Sequence, residues 1–154
     1  RTSYPIRWFY TGMIFYWIIC FQCAVQVTLT AQKIIHFTDW VVGHAHLVMF
    51  GVFSFWIMGI ITEIWPKLTG REWHSQALNG WAYWLNTIGI SIMFIDLVIV
   101  GIVQGFLWFS LNPFMESVRF SVPFWFVRTL SGLMIAAGIL TLIFNMWMTA
   151  RRKA

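Results

Sequence analysis

The chain has 154 residues, of which 60% are hydrophobic and only 10% charged. Soluble domains carry about 25% charged residues, so an ordinary soluble domain is excluded and a membrane protein is indicated. The net charge of +5 does not mark a nucleic-acid binder, because the basic residues lie in short loops and ends and form no patch interleaved with aromatics.

A bilayer crossing needs about 20 apolar residues. Four stretches qualify: Trp8–Thr30, Trp40–Trp65, Gly80–Phe109 and Pro123–Met148. The expectation is an all-α membrane protein of four transmembrane helices, a single membrane domain over 1–154 in contact with lipid, with no soluble domain of any size. The first stretch is too long and too poorly flanked for a cleaved signal peptide.

Helix 1 carries Gln22 and Gln26 at a depth where polar groups need partners. Cys20 and Cys23 are spaced CxxC, but two ligands do not complete a metal site, and they read as small buried residues. A short loop, Ala31 to Asp39, follows, in which Thr38 or Asp39 can cap the next helix. Pro66 is expected to close helix 2, and Lys67–Asn79, with Gly70, has the composition of a turn. Helix 3 contains Gly101-Ile102-Val103-Gln104-Gly105, a spacing that permits close helix approach in lipid. Asp96 lies near its middle and is a proton-relay member, a pair for a charge on another helix, or a neutral carboxyl bonded to a neighbour. After a loop over Ser110–Val122, helix 4 is expected to begin at Pro123, a favoured first-turn position. Arg128 then falls in its outer turns, where it can snorkel or meet an anionic group such as a haem propionate.

Arg1, Arg7, Lys67, Arg71, Arg151, Arg152 and Lys153 fall on one side of this arrangement, and Lys33, Arg119 and Arg128 on the other. The positive-inside rule then puts both termini and the loop after Pro66 in the cytoplasm. Trp8, Trp40, Trp65, Trp81, Trp108, Trp125 and Trp147 lie near span ends, as an interfacial aromatic belt requires.

The most informative feature is His44-Ala45-His46 in the outer turns of helix 2. Residues two apart on a helix point about 200° away from each other, so one metal ion cannot take both. Two readings remain open from the residues alone. The histidines bond neighbouring helices as structural polar groups, or each gives an axial imidazole to one of two flat cofactors flanking the helix, haem being the obvious candidate. His36 in the outer loop and His74 in the other loop cannot join them. A copper or non-haem iron centre beside a haem needs about three further ligands, which these helices do not offer.

These residues resemble a known family. The run Ile35-His36-Phe37-Thr38-Asp39-Trp40-Val41-Val42-Gly43-His44-Ala45-His46 resembles the start of helix 10 in the catalytic subunit of haem-copper oxidases, most closely the cbb-type (C-family) cytochrome c oxidases. Pro66-Lys67-Leu68 with Gly70-Arg71-Glu72 and His74-Ser75 looks like the loop after it. Gly101 to Gly105 with Trp108, then Phe126-Val127-Arg128 with Gly132, look like helices 11 and 12.

The resemblance implies that the four spans match helices 9–12 of a twelve-helix subunit, as a split subunit or part of a longer chain. It implies two haems, of b-type, with His44 on the high-spin iron and His46 on the low-spin iron, and His36 by the propionates with Asp39 nearby, where the position of Arg128 would also let it meet one. Copper, the remaining helices that bind it and cytochrome c-type subunits are the implied partners. Electron transfer for reduction of oxygen to water, in a bacterial inner membrane, is the implied function. Within the same superfamily a nitric oxide reductase is the alternative, and outside catalysis a haem-binding or structural subunit. Three departures stand out. Gln22, Cys23 and Ala24 replace a family Glu-Gly-Pro, Leu47-Val48-Met49 replaces smaller residues, and Asp96 stands where the family usually lacks an acid. A glutamine cannot carry a proton as a carboxylate does, so Gln22 and Asp96 together suggest either a rerouted proton path or an oxygen reduction that is lost or altered.

Overall fold

The computed structural model describes residues 3–151, which leaves Arg1, Arg152 and Lys153 of the charge pattern outside them. Every regular element among the described residues is helical: α1 Tyr4–Gln26, α2 Leu29–Ile35, α3 Asp39–Thr69, α4 Gln76–Phe109 and α5 Phe114–Arg151. Four of them, α1, α3, α4 and α5, are long and apolar enough to cross a membrane. The all-α, four-span expectation therefore holds. α4 lies between α3 and α5, and α1 packs on α3.

Two prolines expected at helix boundaries sit inside helices. Pro66 lies in the final turns of α3, which runs on to Thr69 and stops at Gly70 in the left-handed region (φ 62°). The missing proline N–H strands the carbonyl four residues earlier. That carbonyl belongs to Thr62, and it accepts from the Trp73 indole at 3.2 Å. Pro123 lies ten residues into α5 rather than at its start. The stretch before it looks like a loop because it is polar, yet Ser117 and Ser121 are buried and face α4, with the Trp108 indole bonded to Ser117. With 38 residues, α5 is about 57 Å long, nearly twice the ~30 Å hydrocarbon thickness, so its ends stand in headgroups or water.

The expected loop over Ala31–Asp39 is also partly helical. Thr28 caps α2 by accepting from the Ala31 N–H, and α2 ends at His36. Phe37, at φ 64°, then reverses the chain. A left-handed aromatic residue costs on the order of 1 kcal/mol or more. Thr38 opens α3, its hydroxyl accepting from Trp40 N–H at 3.3 Å and donating to the Ile35 carbonyl at 2.7 Å.

α3 is not uniform. Asp39–His46 is α-helical, Leu47–Phe53 is π-helical, and Ser54–Thr69 is α-helical again. The wide turns begin directly after His46. Such insertions are rare and often mark functional sites.

The core is built where glycines let helices touch. A Cβ at Gly101 would lie 1.9 Å from the Trp40 backbone N, and one at Gly105 would lie 2.0 Å from the Ile34 carbonyl oxygen. The GxxxG of α4 thus seats the start of α3 and the end of α2 backbone to backbone. Below it, Phe15, Leu47, Phe55, Ile90, Met93 and Leu97 form the apolar interior. Trp8 is packed edge-on against Phe55 and Tyr83 at its foot.

Candidate functional site

Gly43 is pressed against Leu97 of α4 and Leu47 is fully buried, so these two define the inward ridge of α3. At about 100° per residue, His44 lies to one side of that ridge and His46 to the other. The expected opposition of the two rings is therefore present.

His44 turns toward α1. Its Nδ1 is 3.2 Å from Gln22 Oε1, and its Nε2 is 3.8 Å from Cys23 Sγ. The Trp40 ring, one turn earlier, is parallel to the imidazole within 6°, at 5.7 Å between centroids. His46 donates from Nδ1 to the Val42 carbonyl at 2.7 Å, with Phe50 against its ring. A carbonyl oxygen only accepts, so the proton of His46 sits on Nδ1 and Nε2 keeps its lone pair. The Gln22 amide oxygen imposes the same tautomer on His44, whose Nε2 then meets only a weak thiol donor. Each ring thus has its Nδ1 set against an oxygen, the arrangement that metal-ligating histidines show almost without exception.

The other expected residues are placed as follows. Asp39 is the knot of the outer end. Its Oδ2 accepts from Gln104 Nε2 at 2.9 Å and from the Trp125 indole at 2.8 Å, while its N–H donates to Gln104 Oε1 at 2.8 Å. Gln104 also donates to Ser121 at 2.8 Å, so α3, α4 and α5 meet at one carboxylate. His36 stands apart and exposed, bonded to Gln32 at 2.9 Å and set edge-on against Phe37. Arg128 is half-buried on α5. Among the described residues its guanidinium is in no ion pair, because the single such pair is Lys67–Glu63.

Asp96 faces α5. Gly89 packs on Ser131 and Ile135, and Gln104 bonds Ser121. These antiparallel pairings bracket Asp96 and put it opposite position 128. The residue is only 7% exposed, and among the described residues Oδ2 has no hydrogen-bond partner. No group of three metal-ligating side chains occurs among the described residues.

The sequence matches the family described as Cytochrome C and Quinol oxidase polypeptide I over residues 1–134. The chain belongs to that family. It is 30% identical to the Cbb3-type cytochrome c oxidase subunit CcoN1 of Stutzerimonas stutzeri, covering 98% of this chain and 34% of that one. It is 29% identical to the cytochrome c oxidase subunit 1 of Rhodobacter capsulatus, covering 99% and 30%. A nitric oxide reductase polypeptide of Stutzerimonas stutzeri is more distant, at 23% over 71% of the chain. The fold is similar to that of a heme-copper terminal oxidase dimer solved by cryo-EM, with TM-score 0.81 and 18% identity over 99% of this chain and 28% of that one. The chain spans about a third of the length of the relatives it matches.

Three contributors to the site of this oxidase-family chain escaped sequence reading: Cys23 against His44, and Gln104 and Trp125 on Asp39. Gln104 carried the one available signal. A glutamine inside an apolar span needs partners, as Gln22 does, but its place inside GxxxG drew the reading toward packing alone.

Proposed function

We propose that this four-span membrane domain forms the haem-bearing C-terminal part of a terminal oxidase catalytic subunit. It would work in electron transfer from a low-spin to a high-spin haem and in reduction of oxygen to water. The single observation that supports this reading is the hydrogen bonding of the two rings: each Nδ1 faces an oxygen, which leaves each Nε2 as a ligand atom on an opposite side of α3.

His44 would hold the high-spin haem and His46 the low-spin haem, both b-type. These groups, when bound, supply one-electron chemistry and an open iron face for the gas. Gln22 orients His44 through Nδ1, and the Val42 carbonyl orients His46. Arg128, free of any ion pair among the described residues, suits a propionate, and His36, exposed at the outer end, is the second residue assigned toward the propionates. Asp39 contributes by position, since its Oδ2 is committed to Gln104 and Trp125 and fixes where α3 begins. Copper would be ligated by helices outside this chain, with c-type cytochrome subunits as electron donors. Both termini would face the cytoplasm across a bacterial inner membrane, the orientation that the positive-inside rule favours.

The test is optical spectroscopy of the purified complete subunit. His44→Ala should remove the high-spin signal and His46→Ala the low-spin one, each leaving the other. If both variants keep both signals, the assignment fails. Metal analysis separates the nitric oxide reductase reading, which the 23% match keeps in view. Copper beside the high-spin iron supports the oxidase, and non-haem iron in its place supports the reductase.

A further inference from the structure

The mechanism above leaves one buried acid unused. Asp96 is 7% exposed within this chain alone, so helices outside it have almost no surface through which to reach the carboxyl. Its Oδ2 nevertheless has no partner. A buried polar atom left open costs roughly 1–3 kcal/mol, more when charged, and ionisable groups at membrane depth are by default functional.

The groups around it define what it can do. On α5 it faces Arg128, and the charges whose fields reach it are Arg128 and Asp39. The outer half of α3 further presents His44 and His46, and α1 presents Cys23 beside His44. α4 itself offers no other ionisable group but Tyr83, more than three turns away and bonded to Thr11. Asp96 thus answers to one cation and one anion. Asp39 has two N–H donors converging on Oδ2, whereas Asp96 Oδ2 has none among the described residues. No hydrogen bond on that oxygen ties the Asp96 carboxyl to one protonation state.

We propose that Asp96 is a proton-exchanging carboxyl paired electrostatically with Arg128, which takes up one proton when the assembled core gains one electron and releases it when that electron leaves. The proposal rests on the haem reading above. A donor of the c-type cytochrome class loses one electron, the core gains it, and one proton from water adds to an Asp96 carboxylate oxygen. No other bond changes. Because Arg128 is also the residue assigned to a propionate, added negative charge on that side is felt at Asp96 through one shared guanidinium. This differs from a structural role, in which the carboxyl would hold one protonation state throughout.

The test is redox-induced infrared difference spectroscopy on the complete oxidase in membranes, with haem absorption recorded on the same sample. The expected result is a carboxylic C=O band that appears on reduction, shifts in heavy water, is lost in Asp96→Asn and is displaced in Asp96→Glu. Proton uptake per electron should fall in Asp96→Asn and recover in Asp96→Glu. Normal haem spectra with no such band, or a band that survives Asp96→Asn, overturn the role of Asp96 while leaving the haem assignment intact. Absence of haem from the wild-type assembly overturns both.

Discussion

The seam between α4 and α5 uses polarity in opposite ways along its length. Toward the end of α5, Asn145 Nδ2 donates to the Ser75 carbonyl and to Asn79 Oδ1, both at 2.8 Å, and its Oδ1 accepts from Ser75 N–H at 3.1 Å. Thr149 accepts from His74 N–H at 2.9 Å and donates to the Asn145 carbonyl at 2.7 Å. This network is closed. At the level of the histidines, Asp96 keeps an open oxygen and Arg128 forms no ion pair among the described residues. Asparagine and threonine lock the helices where their partners are complete. The titratable groups are held in place by neighbours and left with free valence.

Ways to break this contrast can be ranked. Gly101→Val should do most, because the new Cβ meets the Trp40 backbone, which no side-chain rotation relieves. A loss above about 3 kcal/mol, the upper part of the overpacking range, is expected as a fall in melting temperature followed by circular dichroism in detergent. Next comes the direct comparison. Asn145→Ala leaves several groups unpaired and should destabilise by roughly 1–3 kcal/mol, whereas Asp96→Asn keeps the shape, removes a carboxyl oxygen that makes no hydrogen bond among the described residues, and should cost less than Asn145→Ala. Equal losses at the two positions in denaturant titrations would erase the distinction. Smallest is Glu63→Gln. It breaks the Lys67–Glu63 pair, whose side chains are 69% and 50% exposed, and should change stability by less than about 0.5 kcal/mol in the same assay.

The sequence made the four spans legible because lipid demands long apolar runs, and it made the histidine opposition legible because helical rotation is fixed. Helix ends were less readable. Proline marks a boundary only when nothing replaces its missing hydrogen bond, and for Pro66 the Trp73 indole replaces it, eleven residues along the chain from the stranded Thr62 carbonyl. Ser117 and Ser121 looked like loop residues because their partners, Trp108 and Gln104, come from another helix. The π-helical stretch after His46 has no periodic signature in Leu47–Phe53, so nothing in the residues announced it. Of the site, Gln22 was visible as a costly amide at depth, but its pairing with His44 required knowing how α1 sits against α3.

The hydrogen bonds on Asp39 have a consequence for biosynthesis. Gln104 lies 65 residues further along the chain and Trp125 lies 86 further. When the histidine helix first enters the bilayer during translation, neither exists yet in the membrane. Its outer end gains its seat on Gly101 and its clasp on Asp39 only after the two later spans have followed. The imidazoles find their own partners, Gln22 and Val42, before then, so what comes late is the seating of the helix start against α4 and α5.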